Sequence, residues 1–293
     1  MSVSMYISNN YINIVFGSGT KGFVTIKSCI KIPISEGLII NGLIMNEDGL
    51  ADLIKKVWED NPELPKCVKL VVSSTSVLSK KLKVPSVNDK RLLEIIKDEY
   101  SEVENYGELV YDYRVLNPKS HDGGMDIVAC AVDREFIEGY ISLFEKCAIK
   151  LESITTALSS IINAVSFFKD FSNATYVITN LDGNNLSNTL FVNGEYNYSS
   201  RSRLLEEMGS EDSENELYRA LSSLIQFNKS QKNGFDITDI YFTGDLNDGI
   251  FEFSSRLSQA LGVRVSSLRA PESVNIPDED LFNKLFYTIG NLS

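Results

Sequence analysis

The stretch from Leu70 to Leu116, LVVSSTSVLSKKLKVPSVNDKRLLEIIKDEYSEVENYGELVYDYRVL, limits the folds open to this chain more than any other. Leu70, Val71 and Val72 form an unbroken apolar run, which suits a strand covered on both faces. Val77 to Val84 interleaves Lys80, Lys81 and Lys83 with apolar residues and closes on Pro85, so it reads as a second, exposed strand. Asn88 is placed to cap a helix in which Leu92, Leu93, Ile96 and Tyr100 share a face. Asp112-Tyr113 then opens a third strand running to Leu116. The order strand, strand, helix, strand requires a mixed α/β architecture.

The rest of the chain continues the alternation. Met1 to Phe16 offers two apolar runs joined by Ser8-Asn9-Asn10, a hairpin signal because Asn tolerates positive φ, and Gly22 to Ile32 makes a third strand. A helix carrying Leu50, Leu53, Ile54, Val57 and Trp58 on one face stops at Asn61-Pro62, ahead of a strand from Val68 to Val72. After a Gly123-Gly124 turn come a strand from Met125 to Val132, a helix with Phe136, Tyr140, Phe144 and Cys147, a strand from Leu151 to Ile154, and a helix with Leu158, Ile161, Ile162, Val165 and Phe168. Lys169 to Asn173 reads as an interdomain boundary. Beyond it the opening pattern repeats: a strand from Tyr176 to Leu181, a polar turn at 182–185, a strand from Leu186 to Val192, and Asn193-Gly194 as a two-residue hairpin turn. Arg203 to Glu216 is acidic and reads as an exposed linker. A helix through Leu217, Leu221, Leu224 and Ile225, a strand from Ile240 to Thr243, a helix through Ile250, Phe253, Leu257 and Leu261 capped by Gly262, a strand from Val263 to Ser267 and a helix through Leu281, Leu285, Phe286 and Ile289 complete an α/β pattern.

Charge and composition narrow the function. A net charge of −12, from 40 acidic and 28 basic residues, repels phosphates over most of the surface and argues against nucleic acid or direct membrane binding. No run is long and apolar enough to span a membrane, and MSVSMYISNN lacks the form of a secretory signal, so the expected location is the cytoplasm. Cys29, Cys67, Cys130 and Cys147 are scattered without a CxxC pair and read as reduced structural thiols. His121, the one histidine, sits in a polar Gly-Gly hairpin loop and reads as solvated, which leaves neither a Ser-His-Asp triad nor a metal site.

The buried strand with its Ser73-Ser74 link, the Lys80-Lys81-x-Lys83-x-Pro85 strand, the helix ending in Asp98-Glu99 and the run Tyr111-Asp112-Tyr113-Arg114-Val115-Leu116 together resemble the PilM family of type IV pilus assembly proteins, as do Glu36-Gly37, Asn41-Gly42 and Ile289-Gly290. The resemblance implies an actin-like (ribonuclease H-like) two-domain fold with an inserted subdomain of the FtsA 1C type. Residues 1–74 and 150–171 would form the first domain, 75–149 the insertion and 172–293 the second domain.

In actin-like proteins the two opening hairpins cradle nucleotide phosphates, and an acid in each holds magnesium through water. The corresponding cleft residues here are Ser8, Asn9 and Asn10 in the first hairpin, Asn180, Asp182 and Gly183 in the second, and Gly244-Asp245 near the adenosine position. The first hairpin lacks both carboxylate and glycine. Asn180 puts an amide where an acid is expected, with Asp182 displaced by two positions, and Thr155 stands where the interdomain helix would bring a third acid. The resemblance therefore implies a pseudo-ATPase with no catalytic residues; ATP with magnesium is possible but not favoured. Asn9-Asn10 and Asp182-Gly183 are also good turn residues whatever the ligand.

The same resemblance implies a scaffold at the inner face of the cytoplasmic membrane that holds the cytoplasmic tail of a PilN-like bitopic protein, alongside other pilus-assembly components and with self-association possible. Its partner site would lie at the seam of insertion and first domain, on Glu36, Gly37, Ile39, Asn41, Asp126 and Val128, with Ile39 as the leading apolar contact. The lysine stripe on Val77 to Val84 has two readings: charges that keep an edge strand from mispairing, or a contact with an acidic partner. The alternatives are an actin-like ATPase, a cell-division protein of the FtsA type, and a cytoplasmic component of type II secretion similar to GspL. The FtsA type ends in a basic amphipathic helix, which the residues to Ser293 do not form.

Overall fold

Strands β1 (Ser2–Ile7), β2 (Tyr11–Thr20) and β3 (Phe23–Pro33) form an antiparallel meander whose alternation supplies both faces with apolar side chains. Val3, Met5, Ile7, Ile12 and Ile14 point to one core, and Tyr6, Tyr11 and Val15 to another. The computed structural model describes residues 1–20, 22–104, 106–119, 123–206, 208–246 and 250–292. His121 lies outside the described residues.

A short hairpin, β4 (Ile39–Ile40) and β5 (Leu43–Ile44), turns at Asn41-Gly42 and leads to α1 (Glu47–Asp60), whose first turn is capped by Asn46 Oδ1 accepting from Gly49 N at 2.9 Å. β6 (Cys67–Val72) pairs parallel with β1, and it is covered on both sides as its unbroken apolar run requires. Val68, Leu70 and Val72 join the outer core, and Val71 the inner one.

Next come β7 (Leu78–Val84), α2 (Asp89–Glu99), β8 (Leu109–Asn117) and β9 (Met125–Asp133). Their strands make a separate three-stranded sheet in the order β7-β9-β8. Leu92 and Ile96 of α2 and its C-cap Tyr100 pack on Ile127, Ala129 and Ala131 of β9, while Leu93, expected on the same face, is 38% exposed. The stripe lysines are engaged within the molecule: Lys80 pairs with Glu99, and Lys81 Nζ donates to Tyr196 O at 2.7 Å.

α3 (Arg134–Lys146) follows at once, then β10 (Lys150–Thr156) and α4 (Ala157–Val165). The second sheet is built from β11 (Tyr176–Asp182), β12 (Asn185–Val192) and β13 (Glu195–Arg203), then α5 (Glu211–Ser230), β14 (Asp239–Gly244), α6 (Ile250–Leu261) and β15 (Arg264–Ser267). β16 (Val274–Asn275) and α7 (Phe286–Gly290) close the chain. The first sheet runs β10-β6-β1-β2-β3-β16 and the second β13-β12-β11-β14-β15, so the same meander with parallel strands added beside its first member occurs twice.

Three expectations change. α3 lay within the expected insertion, 75–149, yet Phe136, Tyr140, Leu143 and Phe144 pack with α1 in the outer core of the first sheet, whereas the core of the three-stranded sheet is filled by α2. Residues 172–293 were expected to form the second domain, yet β16 pairs with β3 and α7 packs on α4 and β1. The expected linker at 203–216 is cut short at Glu211, where Ser210 Oγ accepts from Ser213 N and Glu211, Asp212 and Glu214 favour the positive end of α5.

Truncating Phe144, which is fully buried among α1 and the first sheet, should cost about 3–5 kcal/mol of unfolding free energy. Leu93→Ala should cost less than about 0.5 kcal/mol, as for most exposed positions. Urea unfolding followed by circular dichroism measures both.

Candidate functional site

The duplicated meanders face each other, so the β1–β2 and β11–β12 turns meet at one end of the layer between the sheets. In the first turn Ser8 Oγ accepts from Asn10 N at 3.2 Å and Tyr11 N at 3.1 Å, a local closure that uses the hydroxyl for the backbone. In the second, Gly183 takes φ +56°, and a Cβ there would lie 2.5 Å from Asn10 Nδ2, so the two turns touch. Beneath them Tyr6 OH donates to Asp182 Oδ2 at 2.6 Å, with both groups buried. Asn180 Nδ2 donates to Thr243 Oγ1 at 3.0 Å.

Asp182 is the electrostatic centre of this cleft. Burial pushes its carboxyl above the ordinary aspartate range; the hydroxyls of Tyr6, Tyr11 and Ser8 pull it back, and the charge of Asp245 adds to the rise. Its Oδ1 is buried with no hydrogen-bond partner of good geometry. Tyr6 is held well above the usual phenol range, first by burial and then by the Asp182 charge. At the far rim Lys31 Nζ, which lies over the Tyr11 ring, pairs with Asp245 at 2.8 Å. Gly244 N donates to Asn283 O, and Asp245 N to Leu181 O. Arg201 of β13 donates to the Ser74 carbonyl across the cleft.

These contacts leave a cavity of about 30 Å³, lined by Tyr6, Ser8, Asn180, Asp182 and Arg201 among others. Of the expected cleft residues, Ser8, Asn9, Asn180 and Asp182 line it. Asn10 and Gly183 form the contact above it, and Gly244-Asp245 close the rim. Thr155 sits in β10, opposite Val71, away from the cavity. Tyr6, Tyr11, Lys31 and Arg201 were missed, since each lies inside a strand and carries no local motif.

The second candidate region is the seam beside the β4–β5 hairpin. Asn41 is fixed there, with Nδ2 donating to Thr75 Oγ1 at 2.7 Å and Oδ1 accepting from Thr75 N at 3.1 Å. Tyr140 OH donates to Gly42 O at 2.7 Å and ties the hairpin to α3. Between the hairpin, the start of α3 and the residues Glu104 and Tyr106 runs a groove of about 560 Å³. Its apolar lining is Leu43, Ile44, Tyr106 and Phe136.

The expected partner residues divide. Ile39 is 2% exposed and packs in the outer core, whereas its neighbour Ile40 is 51% exposed. Glu36 and Gly37 are exposed on the preceding turn, and Asn41 is committed to Thr75. Asp126 and Val128 lie further along β9, with Val128 facing the inner core, and neither lines this groove. Leu43 and Met45, 45% and 59% exposed, were missed, although Asn41-Gly42 flanked by apolar pairs is itself a hairpin signal.

Cys29, Cys67, Cys130 and Cys147 are free thiols. Among the described residues no group of three or more His, Cys, Asp or Glu is placed to hold a metal ion, and no helix is long and apolar enough to cross a membrane. A further cavity, about 1150 Å³, is an open trough beside β15 and Phe168, lined by residues of neither turn and none of the seam groove.

The raised Asp182 titration fixes a sign. The folded state holds the proton above the ordinary value of 3.8, so the contribution is intact below that pH and is lost as pH rises through the folded value. Asp182→Asn should therefore flatten the fall in stability with rising pH above 3.8. Tyr6→Phe should cost about 1–3 kcal/mol at neutral pH by stripping a donor from a buried carboxylate. Urea unfolding at stepped pH reads both.

A family profile described as type IV pilus assembly protein PilM matches residues 5–199 of the chain. Among solved structures the chain is similar to one described as a PilM-PilN type IV pilus biogenesis complex, with a TM-score of 0.84 at 15% identity over 99% of this chain and 97% of that one. It is also similar to a Bacteroides thetaiotaomicron protein with an actin-like ATPase fold (0.58, 11% identity, 91% and 90% covered). A third is the cytoplasmic domain of EpsL, an inner-membrane component of the type II secretion system of Vibrio cholerae (0.50, 10% identity, 98% and 93% covered). No curated protein sequence matches the chain. At these identities the structures establish an actin-like fold and no more, while the profile covers well over half of the sequence. The chain belongs to the PilM family of type IV pilus assembly proteins.

Proposed function

We propose that this protein is a non-catalytic scaffold of a type IV pilus assembly machine, held at the inner face of the cytoplasmic membrane by the cytoplasmic N-terminal tail of a PilN-like bitopic protein. The observation that carries this reading is the groove of about 560 Å³ beside the β4–β5 hairpin, lined in part by Leu43, which stays 45% exposed on a hairpin held by Asn41 and Tyr140. Grooves of this size with an apolar lining and fixed walls suit an extended peptide. The solved relative described as a PilM-PilN complex supports the choice of partner. In this reading the unit from β7 to β9, residues 78–133, is the counterpart of the FtsA-type insertion, and α3 belongs to the first domain.

The same reading makes the cleft a vestigial nucleotide site. A space of about 30 Å³ is far below the several hundred Å³ of ordinary ligand pockets, and the two turns that would cradle phosphates rest on each other. The buried carboxyl group among the cleft residues, Asp182, is engaged by Tyr6. A magnesium-nucleotide complex needs several oxygen ligands, and this cleft offers them poorly.

Leu43→Asp should weaken binding of the synthetic N-terminal tail of the PilN-like protein by about tenfold or more in calorimetric titration, as loss of an interface anchor does. Unchanged affinity in the folded variant would place the site elsewhere. The purified protein should release no phosphate from magnesium-ATP above buffer, and turnover lost in Asp182→Ala would overturn the scaffold reading.

A further inference from the structure

The lining of the seam groove has an apolar part and an acidic part, the acidic wall. Glu104, Asp133 and Glu135 line it together with Leu43, Ile44, Tyr106 and Phe136, and no base among the described residues lines it. Asp133 Oδ2 is occupied, accepting from Gly107 N at 3.0 Å. Arg134, the base beside the wall, is committed to Glu108 at 2.8 Å and faces Glu138 at 3.9 Å. Glu104 and Glu135 have no ion-pair partner among the described residues. Glu135 has a local use in the first turn of α3, where an acid favours the helix dipole; Glu104 lies outside any helix and has none.

We propose, resting on the reading that a membrane-protein tail lies in this groove, that Glu104 and Glu135 select the occupant by charge: the groove takes an apolar segment flanked by lysine or arginine. Each unpaired carboxylate gains a counter-charge only when such a partner arrives, and neutral or acidic segments leave the wall uncompensated. Cytoplasmic segments next to a membrane span carry an excess of Lys and Arg, so the chemistry of the wall matches the class of tail. The −12 charge of the chain makes the match consequential, since anionic lipid repels the protein and the basic tail must supply the attraction.

The experiment is calorimetric titration of the full chain with the synthetic N-terminal tail peptide of the PilN-like protein, and with the same peptide carrying Gln at each Lys and Arg. Wild type should bind the charged peptide about tenfold more tightly than the neutral one at low salt, and should lose about that factor between 50 and 500 mM sodium chloride. Glu104→Gln/Glu135→Gln should remove most of both differences; both side chains are exposed, and a thermal melt matching wild type confirms the fold. If Leu43→Asp abolishes binding while the charge variants and salt change it less than twofold, the tail site stands and charge selection fails. If Leu43→Asp binds like wild type, or wild type binds neither peptide, the tail site falls and charge selection falls with it.

Discussion

The apolar layer shared by the two large sheets is the constraint on which the rest of the molecule depends. Tyr6, Val15 and Val71 from the first sheet and Tyr176, Ile178 and Phe191 from the second bury into it, with Leu158, Ile161, Phe286 and Ile289 of α4 and α7 between them. Neither sheet covers its inner face alone. α4 and α7 cross so closely that a Cβ on Gly290 would lie 2.1 Å from Ser160 O, which fixes the spacing of the halves. Asn291 Nδ2 then reaches Ser4 Oγ and Lys69 O, and Ser160 Oγ donates to Tyr287 O. With that spacing set, the two turns at the end of the layer have little room, and Tyr6, Asp182, Lys31 and Asp245 draw them together. The closed cleft is a result of the core as much as of the cleft residues.

The three-stranded sheet sits on this layer rather than apart from it. Val128 enters the inner core, Arg114 donates to Ser159 O, Lys81 to Tyr196 O, and Arg201 reaches back to Ser74 O. All three cations bond backbone carbonyls, which tolerate small shifts better than a bidentate ion pair. The hairpin beside the groove is held differently, by Asn41, Thr75 and the Tyr140 hydroxyl on elements of the outer core. Its wall is preformed, and a bound segment would not have to order it.

Features set by local chemistry were legible in the sequence: the doubly covered strand Leu70 to Val72, the Asn88 cap, and the Asn193-Gly194 turn with both residues at positive φ. The repeat of an opening hairpin correctly announced two related sheets. What escaped the sequence depends on parity or distance. Ile39 and Ile40 are adjacent and equally apolar, and only the register of β4 decides that the first packs and the second is exposed. The pairing of Tyr6 with Asp182 spans 176 positions and leaves no local trace. Placing α3 required knowing which of two sheets offered its apolar face a partner.

The return of β16 and α7 to the first sheet has a consequence for biosynthesis. Five strands of that sheet, β1 to β3, β6 and β10, leave the ribosome before β16 and before Phe286, Ile289 and Leu292, which cover its inner face. At about 5–20 residues per second the strands up to β10 wait from several seconds to about half a minute for α7. The inner face of the first sheet is therefore covered in full only after the second sheet has been synthesised, with α4 as its partial cover until then.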